Sequence, residues 1–285
     1  MDQHMTAHNA NRDARPSLRV MSWNIRSGFG SFGLPADLAG TSQIDTIAEV
    51  IRQSGADIVG LQEVDRHWDR SDNLDQPRYL AEVLGMDWCH GANWLPAGGQ
   101  PGDAVPQYGT AILSRWRIEA HRNVHLPTPE NWEQRGALVA EIRLDDGQLV
   151  TLINTHLQYG DPSNSDGTVT QRTEQLRGVL DLAMQANGAV VITGDFNATP
   201  GSVELRQIED PDSGFVDAWV RSRAGGEGHT IEARPDTEPE RRIDYIFAGT
   251  GVSVLGASVV ITDLTRIASD HYPVVTDLEI VRPNT

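Results

Sequence analysis

The run Ser269-Asp270-His271-Tyr272-Pro273, near the C-terminus, is the last of five polar clusters that each close an apolar run. The other four are Asn24-Ile25-Arg26, Leu61-Gln62-Glu63-Val64, Asn154-Thr155-His156-Leu157 and Gly194-Asp195-Phe196-Asn197. A single Ser-Asp-His triplet means little, since three common polar residues meet by chance. Five clusters in order, each at the mouth of a strand-like run, point to strand ends converging on one phosphate-cutting site.

Around these clusters strands alternate with helices. Leu18 to Asn24 is a β-rich run carrying Val20 and Trp23. Thr41 or Ser42 then opens a helix with Ile44, Ile47, Ala48 and Ile51 on one face, and Gly55 ends it. Asp57 to Leu61 reads as a short apolar strand leading straight into Gln62 and Glu63. Tyr108 to Ser114 and Gly136 to Leu144 are further strands, and Leu149 to Asn154 pairs with the latter across the Asp145-Asp146-Gly147 turn. Thr170 to Ala186 is helical, with Leu176, Val179, Leu180 and Ala183 at helical spacing. Ala189 to Thr193, Ile243 to Phe247, Val252 to Val260 and Pro273 to Ile280 complete the strands. Three Gly- and Pro-rich stretches, Gly28 to Gly40, Gly85 to Gln107 and Arg221 to Arg241, break the periodicity and read as surface loops. Loops of that length are more often functional rims than idle connections. With no linker or repeat to divide the chain, the expectation is a flexible polar tail over 1–16 and a single domain over 17–285.

The chain has 285 residues, 39% of them hydrophobic, enough for a sizeable core. No stretch approaches a membrane span and the N-terminal segment lacks the apolar run of a signal peptide, so a cytoplasmic protein, monomeric by default, is expected. The single cysteine, Cys89, forms no internal disulfide and lacks zinc-site spacing, so it reads as a partly buried thiol. Asp and Glu number 40 against 23 basic residues, a net charge of −17, and all 23 are arginine. The absence of lysine removes Schiff-base and P-loop chemistry, which need an ammonium. A net negative field also repels polyanions, so nucleic acid is disfavoured unless arginines cluster locally. The bias equally fits genome composition or a salty habitat.

Glu63, following an apolar strand, would turn its carboxylate outward at the sheet edge, where a hard cation such as Mg²⁺ takes one or two protein oxygens. The alternative is a surface glutamate in a turn. Asp195 and Asn197 stand two apart; on an extended segment both face one way, an acceptor and an amide donor for one phosphate. Asp270 and His271 are adjacent, so their joint use requires a turn. Asp244 precedes Tyr245-Ile246-Phe247 and could accept a hydrogen bond from His271 and fix its tautomer, or form a surface salt bridge instead.

The ordered set WNIR, LQEV, NTHL, GDFN, RIDYIF and SDHYP resembles the endonuclease/exonuclease/phosphatase superfamily, from Leu18 to about Ile280. The resemblance implies an α/β (α+β) fold, a four-layer αββα sandwich of two mixed sheets face to face. It implies that Asn24 orients phosphate and metal, that Glu63 binds the catalytic Mg²⁺ (with Mn²⁺ as a substitute), and that His156 donates to a phosphoryl oxygen. Asp195 would orient or activate water, Asn197 would hold phosphate, and Asp270 would lie at the metal side. His271 would be the general base or the electrostatic partner of the transition state, held by Asp244. Abasic-site nucleases of similar pattern carry an aspartate two residues after the asparagine; this chain has Arg26, which weakens that reading. Arg26 and Arg135 are candidates for phosphate contact, with solvent-facing salt bridges as the alternative.

Substrate is less clearly written. Trp88 and Trp94 in one stretch and Trp132 in another suggest an aromatic rim, although such tryptophans also serve as loop anchors. There is no basic stripe, lipid anchor or amphipathic membrane helix. The expectation is an Mg²⁺-dependent phosphoesterase acting on a small or lipid-derived ester. A nuclease acting on DNA or RNA is the alternative, and a non-catalytic binding module of the same fold the second.

Overall fold

The computed structural model describes residues 17–281 except 33, 35–37, 101–103, 161–164 and 233–238. The tail expected over 1–16 lies outside the described residues, as do parts of the three expected loops. Among the described residues twelve strands form two six-stranded sheets. The first runs β11 (Val252–Val259), β12 (Val274–Ile280), β1 (Leu18–Asn24), β2 (Ile58–Arg66), β4 (Gln107–Ser114), β3 (Asp87–Trp94). The second runs β5 (Ile118–His125), β6 (Gly136–Arg143), β7 (Leu149–His156), β8 (Ala189–Asp195), β10 (Asp244–Gly249), β9 (Phe215–Asp217). Each sheet holds one parallel pair, β1 with β2 and β7 with β8, among antiparallel neighbours.

Period-two alternation sorts the strand residues into layers. Val20, Ile58, Leu152, Val191 and Ile246 interlock between the sheets. The alternate residues of the same strands face outward: Met21, Trp23 and Val59 pack under α1 (Ile44–Ser54) and α2 (Gln76–Leu84), while Ile153, Ile192 and Phe247 pack under α3 (Ser165–Met184). The result is the expected αββα sandwich, with six shorter turns of helix among the described residues at its margins.

The topology decides where function lies. β1, β2, β7 and β8 all end at one edge of the sandwich, and their antiparallel neighbours β12, β4, β6 and β10 begin there. One layer below that edge a polar staple fixes the spacing of the sheets. Asn154 on β7 donates to the carbonyls of Leu61 (2.8 Å) and Ala111 (3.0 Å) in the facing sheet. Its Oδ1 accepts from Gln62 (2.7 Å) and Thr193 (3.1 Å). Gly60 lies against this staple, and a Cβ there would collide with Thr193 and Asn154.

Several expectations are corrected. Gly85 to Gln107 is not all loop: it contains β3, which carries Trp88 and Trp94. The structure adds β5 and α2 to the elements that the sequence pattern indicates. β3 and β5 are sheet edges, and the residues of β5 are mostly exposed, so apolar alternation is absent where edges are kept polar against stray pairing. The strand begun at Asp57 runs on to Arg66 rather than ending at Leu61. Cys89 is fully rather than partly buried, and burial pushes its thiol up to about 12.

β3 also buries an imidazole. His90 Nε2 is buried without a hydrogen-bond partner among the described residues. Burial, then the charge of Arg66, pushes its pKa down to about 3, so the folded ring stays neutral. The unfolded chain takes up this proton near the ordinary value of about 6.5. Below that pH the unfolded state binds a proton that the folded state refuses, and stability falls by about 1.4 kcal/mol per pH unit until the folded ring titrates. Between pH 7 and 5, His90→Gln should therefore lose about 2 kcal/mol less stability in urea unfolding than the native chain. Equal losses would unlink this ring from folding.

Candidate active site

Inward-facing positions at the common edge supply the polar groups. Asn24 continues the inward set Val20 and Ser22 on β1, and Asp195 continues Val191 and Thr193 on β8. In the second sheet the register sets His156, Asp195 and Asp244 side by side: Asp195 pairs with His156 on one flank and with Asp244 on the other. Glu63 reaches the same space by a different route. Plain alternation would aim it at the helices, as Val59 and Leu61 are aimed. The ladder of β2 with β4 instead shifts register between Gln62 and Val64, and Glu63 takes φ +56° within that bulge. So Glu63 sits inside a strand, not beyond its end.

From the first sheet, the turn before β12 delivers Asp270 and His271. Ser269 Oγ donates to the Asn24 carbonyl (2.8 Å) and accepts from the His271 N–H (3.2 Å), while Trp23 Nε1 donates to the His271 carbonyl (2.9 Å). The ring is thereby fixed across the cleft. His271 Nδ1 donates to Asp244 Oδ2 at 2.8 Å, and its Nε2 lies 3.8 Å from Asp195 Oδ2. Burial alone would lower the pKa of His271, but the charge and hydrogen bond of Asp244, with Asp195 and Asp270 nearby, raise it to about 10. Asp195 moves the other way: burial, then the charge of Asp244, pushes its carboxyl up to about 7.

Asn24 joins the two halves. Its Nδ2 donates to Glu63 Oε1 and to Asp195 Oδ2, both at 3.0 Å, and its Oδ1 accepts from the Arg26 N–H (3.0 Å). The segment after β8 is not extended as expected: Asn197 has φ +50°, and its N–H folds back onto Asp195 Oδ1 (2.9 Å). Its side-chain amide then lies over His156, 3.1 Å from Nε2, and donates to the Leu157 carbonyl (3.1 Å). Arg135 Nη1 meets His156 Nδ1 at 3.0 Å and Glu133 at 2.7 Å. A guanidinium never accepts, so Nδ1 is the acceptor and the proton of the neutral ring falls on Nε2, where the adjacent Asn197 Nδ2 is a second donor and not a hydrogen-bond partner. Burial, then the charges of Arg135 and His271, holds the His156 pKa well below the usual range. Arg26 bends away, donating to the Gly30 carbonyl (2.7 Å) and stacking on Phe32, with Nε 3.8 Å from Asp270.

These side chains line one cleft of about 560 Å³, except Asn24 and Asp244, which stand behind it. Two groups of ligand atoms could take a cation there. Asp195, Asp244 and His271 have ligand atoms all within 4.8 Å of one another. That group already contains its own cation, the imidazolium. Glu63 is closely enclosed, and burial first, then the charge of Asp270, raises its carboxyl pKa. A divalent ion shared by Glu63 and Asp270 would offset both effects, and the oxygen-only donor set suits a hard cation.

Some residues of the site carry no sequence signal of their own. Thr230 is buried; its Oγ1 donates to Asp244 Oδ2 (2.7 Å) and accepts from the Asp244 N–H (3.0 Å), locking the carboxylate that holds His271. Tyr108, at the start of β4 against the Glu63 bulge, and Arg70 and Trp68, in the turn after β2, line the cleft. Trp94 does too, whereas neither Trp88 nor Trp132 is among its walls.

A sequence profile described as the Endonuclease/Exonuclease/phosphatase family matches residues 21–271. Among solved structures, the chain is 29% identical to an endonuclease/exonuclease/phosphatase from Beutenbergia cavernae over 94% of this chain and 72% of that one, with a TM-score of 0.72. It is 20% identical to D. rerio TDP2, solved with a single-strand DNA product, over 92% and 99% of the two chains, TM-score 0.70. To the catalytic domain of human nocturnin, solved with a sulfate anion, it is 20% identical over 93% and 94%, TM-score 0.67. At 20% identity the last two establish a shared fold and nothing further.

Proposed function

Because the chain belongs to the endonuclease/exonuclease/phosphatase family, whose members hydrolyse phosphoesters, we propose that it is a Mg²⁺-dependent hydrolase of a small phosphate ester, acting by in-line attack of water. The observation that carries this reading is the row His156, Asp195, Asp244 in one sheet with His271 bonded across to Asp244 from the other. Held by Glu63 and Asp270 with the Asn24 amide beside them, Mg²⁺, or Mn²⁺ in its place, would supply positive charge to a phosphoryl oxygen.

The remaining work falls to the chain's own groups. Asp195, an acceptor with a raised pKa, takes the proton of the attacking water as its oxygen bonds to phosphorus. The bond to the leaving oxygen breaks on the opposite side, and that oxygen is protonated from solvent. His156 Nε2–H, the Asn197 amide and Arg135 hold the phosphoryl oxygens. His271, charged because Asp244 faces it, serves as the electrostatic partner of the developing negative charge rather than as the base. A decayed binding module is disfavoured, since the polar set is complete.

Cleavage of DNA or RNA is the second reading, favoured by the aromatic wall of the cleft and by the DNA product held by D. rerio TDP2. The net charge of −17 opposes a long polymer. A panel of bis-p-nitrophenyl phosphate, p-nitrophenyl phosphate, sphingomyelin, phosphoinositides and plasmid DNA tests the proposal. EDTA should abolish activity, Mg²⁺ or Mn²⁺ should restore it, and kcat/KM on the small diester should change less than about twofold between about 50 and 200 mM salt. Full activity in chelator would overturn the mechanism; efficient plasmid cleavage with a steep loss in salt would promote the nuclease.

A further inference from the structure

The cleft is much larger than one phosphate requires, and its volume of about 560 Å³ falls in the range that encloses a whole organic ligand. Its apolar surface is also of one kind. Among the described residues the exposed aromatic side chains are Phe29, Phe32, Trp94 and Tyr159, and all four line this cleft; the other large exposed apolar residues are aliphatic and lie outside it. Exposed aromatics gathered in one place signal a ligand face, whereas apolar residues scattered singly do not.

Arg70 stands amid the rings. Its guanidinium lies 4.7 Å from the Trp68 ring, 5.5 Å from Tyr108 and 5.8 Å from Phe29. Trp68 and Trp94 pack on one another at 4.7 Å with a 35° tilt, and Trp94 remains exposed on its other side. This arrangement is built rather than incidental. Buried Asp65 grips Arg70 through both carboxylate oxygens (2.7 and 2.8 Å) and accepts from Ser71 (3.0 Å). Arg66 pairs with Asp75 in the same bidentate way (2.6 and 2.8 Å). Trp68 Nε1 donates to the Gln107 carbonyl (2.9 Å), which fixes the ring against which Trp94 and Arg70 pack. His67, Asp72 and Asn73 hold left-handed backbone in this turn, a strain that persists only where the surroundings enforce it.

We propose that Trp68, Trp94, Tyr108 and Arg70 form a nucleobase subsite beside the phosphate centre, so that the ester cleaved by this chain carries a nucleoside. The inference rests on the phosphoesterase reading and adds the substrate class. Aromatic faces stack any base, and a base brings carbonyl or ring-nitrogen acceptors to the guanidinium N–H groups. An alkyl chain brings neither, and would strip water from Arg70 without replacing its hydrogen bonds. The acidic surface elsewhere favours a mononucleotide ester or a strand end over a long polymer.

Three p-nitrophenyl phosphodiesters with the same leaving group, and methyl, hexyl or thymidine 5′ as the retained group, test the subsite. The thymidine ester should exceed the methyl ester in kcat/KM by about tenfold or more, within the range that stacking of one base supports. In Trp94→Ala that ratio should fall toward one, and Trp94→Phe should keep most of it, which separates stacking from misfolding. Equal rates on thymidine and methyl esters, a preference for hexyl, or a ratio unmoved by Trp94→Ala would overturn the subsite. If no ester is cleaved, the phosphoesterase reading fails by itself. Calorimetric titration with thymidine 5′-phosphate against inorganic phosphate then decides the subsite: tighter binding of the nucleotide, lost in Trp94→Ala, supports it, and equal binding overturns it.

Discussion

Exchanging Asp195 for asparagine should lower kcat on a small phosphodiester by about 10³-fold or more, the scale of a lost general base, equivalent to about 4 kcal/mol of transition-state stabilisation. The reason lies in its surroundings. Asp195 Oδ1 is taken up by the Asn197 N–H, and Oδ2 faces Asn24, His156 and His271 at 3.0, 3.5 and 3.8 Å. Burial and the neighbouring charge of Asp244 raise its pKa, which makes it a stronger proton acceptor than an ordinary aspartate. The substitution leaves the phosphate-holding groups in place, so KM should move little. Folding should not suffer: a carboxylate enclosed against its preference weakens the native state, and the neutral amide relieves that, so the unfolding temperature should stay level or rise. A variant that folds normally and retains its rate would remove Asp195 from the chemistry.

What could be read from the residues alone follows from strand physics. Buried central strands such as β1, β7 and β8 announce themselves by apolar runs, and polar residues stranded at their ends, Asn24, His156 and Asp195, have no structural reason to be there. Asn154 is the instructive exception. It belongs to one of the quoted clusters, yet its side chain is spent joining the sheets through Leu61 and Ala111. The left-handed bulge that turns Glu63 into the cleft cannot be seen in a sequence that reads as plain strand. Arg70 and Trp68 were hidden for another reason. Their turn is organised by ion pairs between Arg70 and Asp65 and between Arg66 and Asp75, and charged residues in a loop look alike whether solvated or locked. Thr230 stands 14 residues from Asp244 and meets it only because Ile231 bridges to Arg241 and His271.

The central claim is that Asp244 and His271 act as one unit whose charge faces Asp195, and a double-mutant cycle addresses it directly. Asp244 Oδ2 accepts from His271 Nδ1 at 2.8 Å and from Thr230 Oγ1 at 2.7 Å, both buried. Removing the carboxylate leaves the imidazole with the full penalty of burial and only the weaker support of Asp195 and Asp270, so its pKa falls and its positive charge is destabilised. Asp244→Asn and His271→Ala should therefore each lower kcat by about 10² to 10⁴-fold. Each variant weakens or removes the same cation, so the double variant should be little worse than the poorer single one. Losses that multiply in the double variant would mean that the two residues act independently, and would contradict the assignment of His271 as a charge held in place by Asp244.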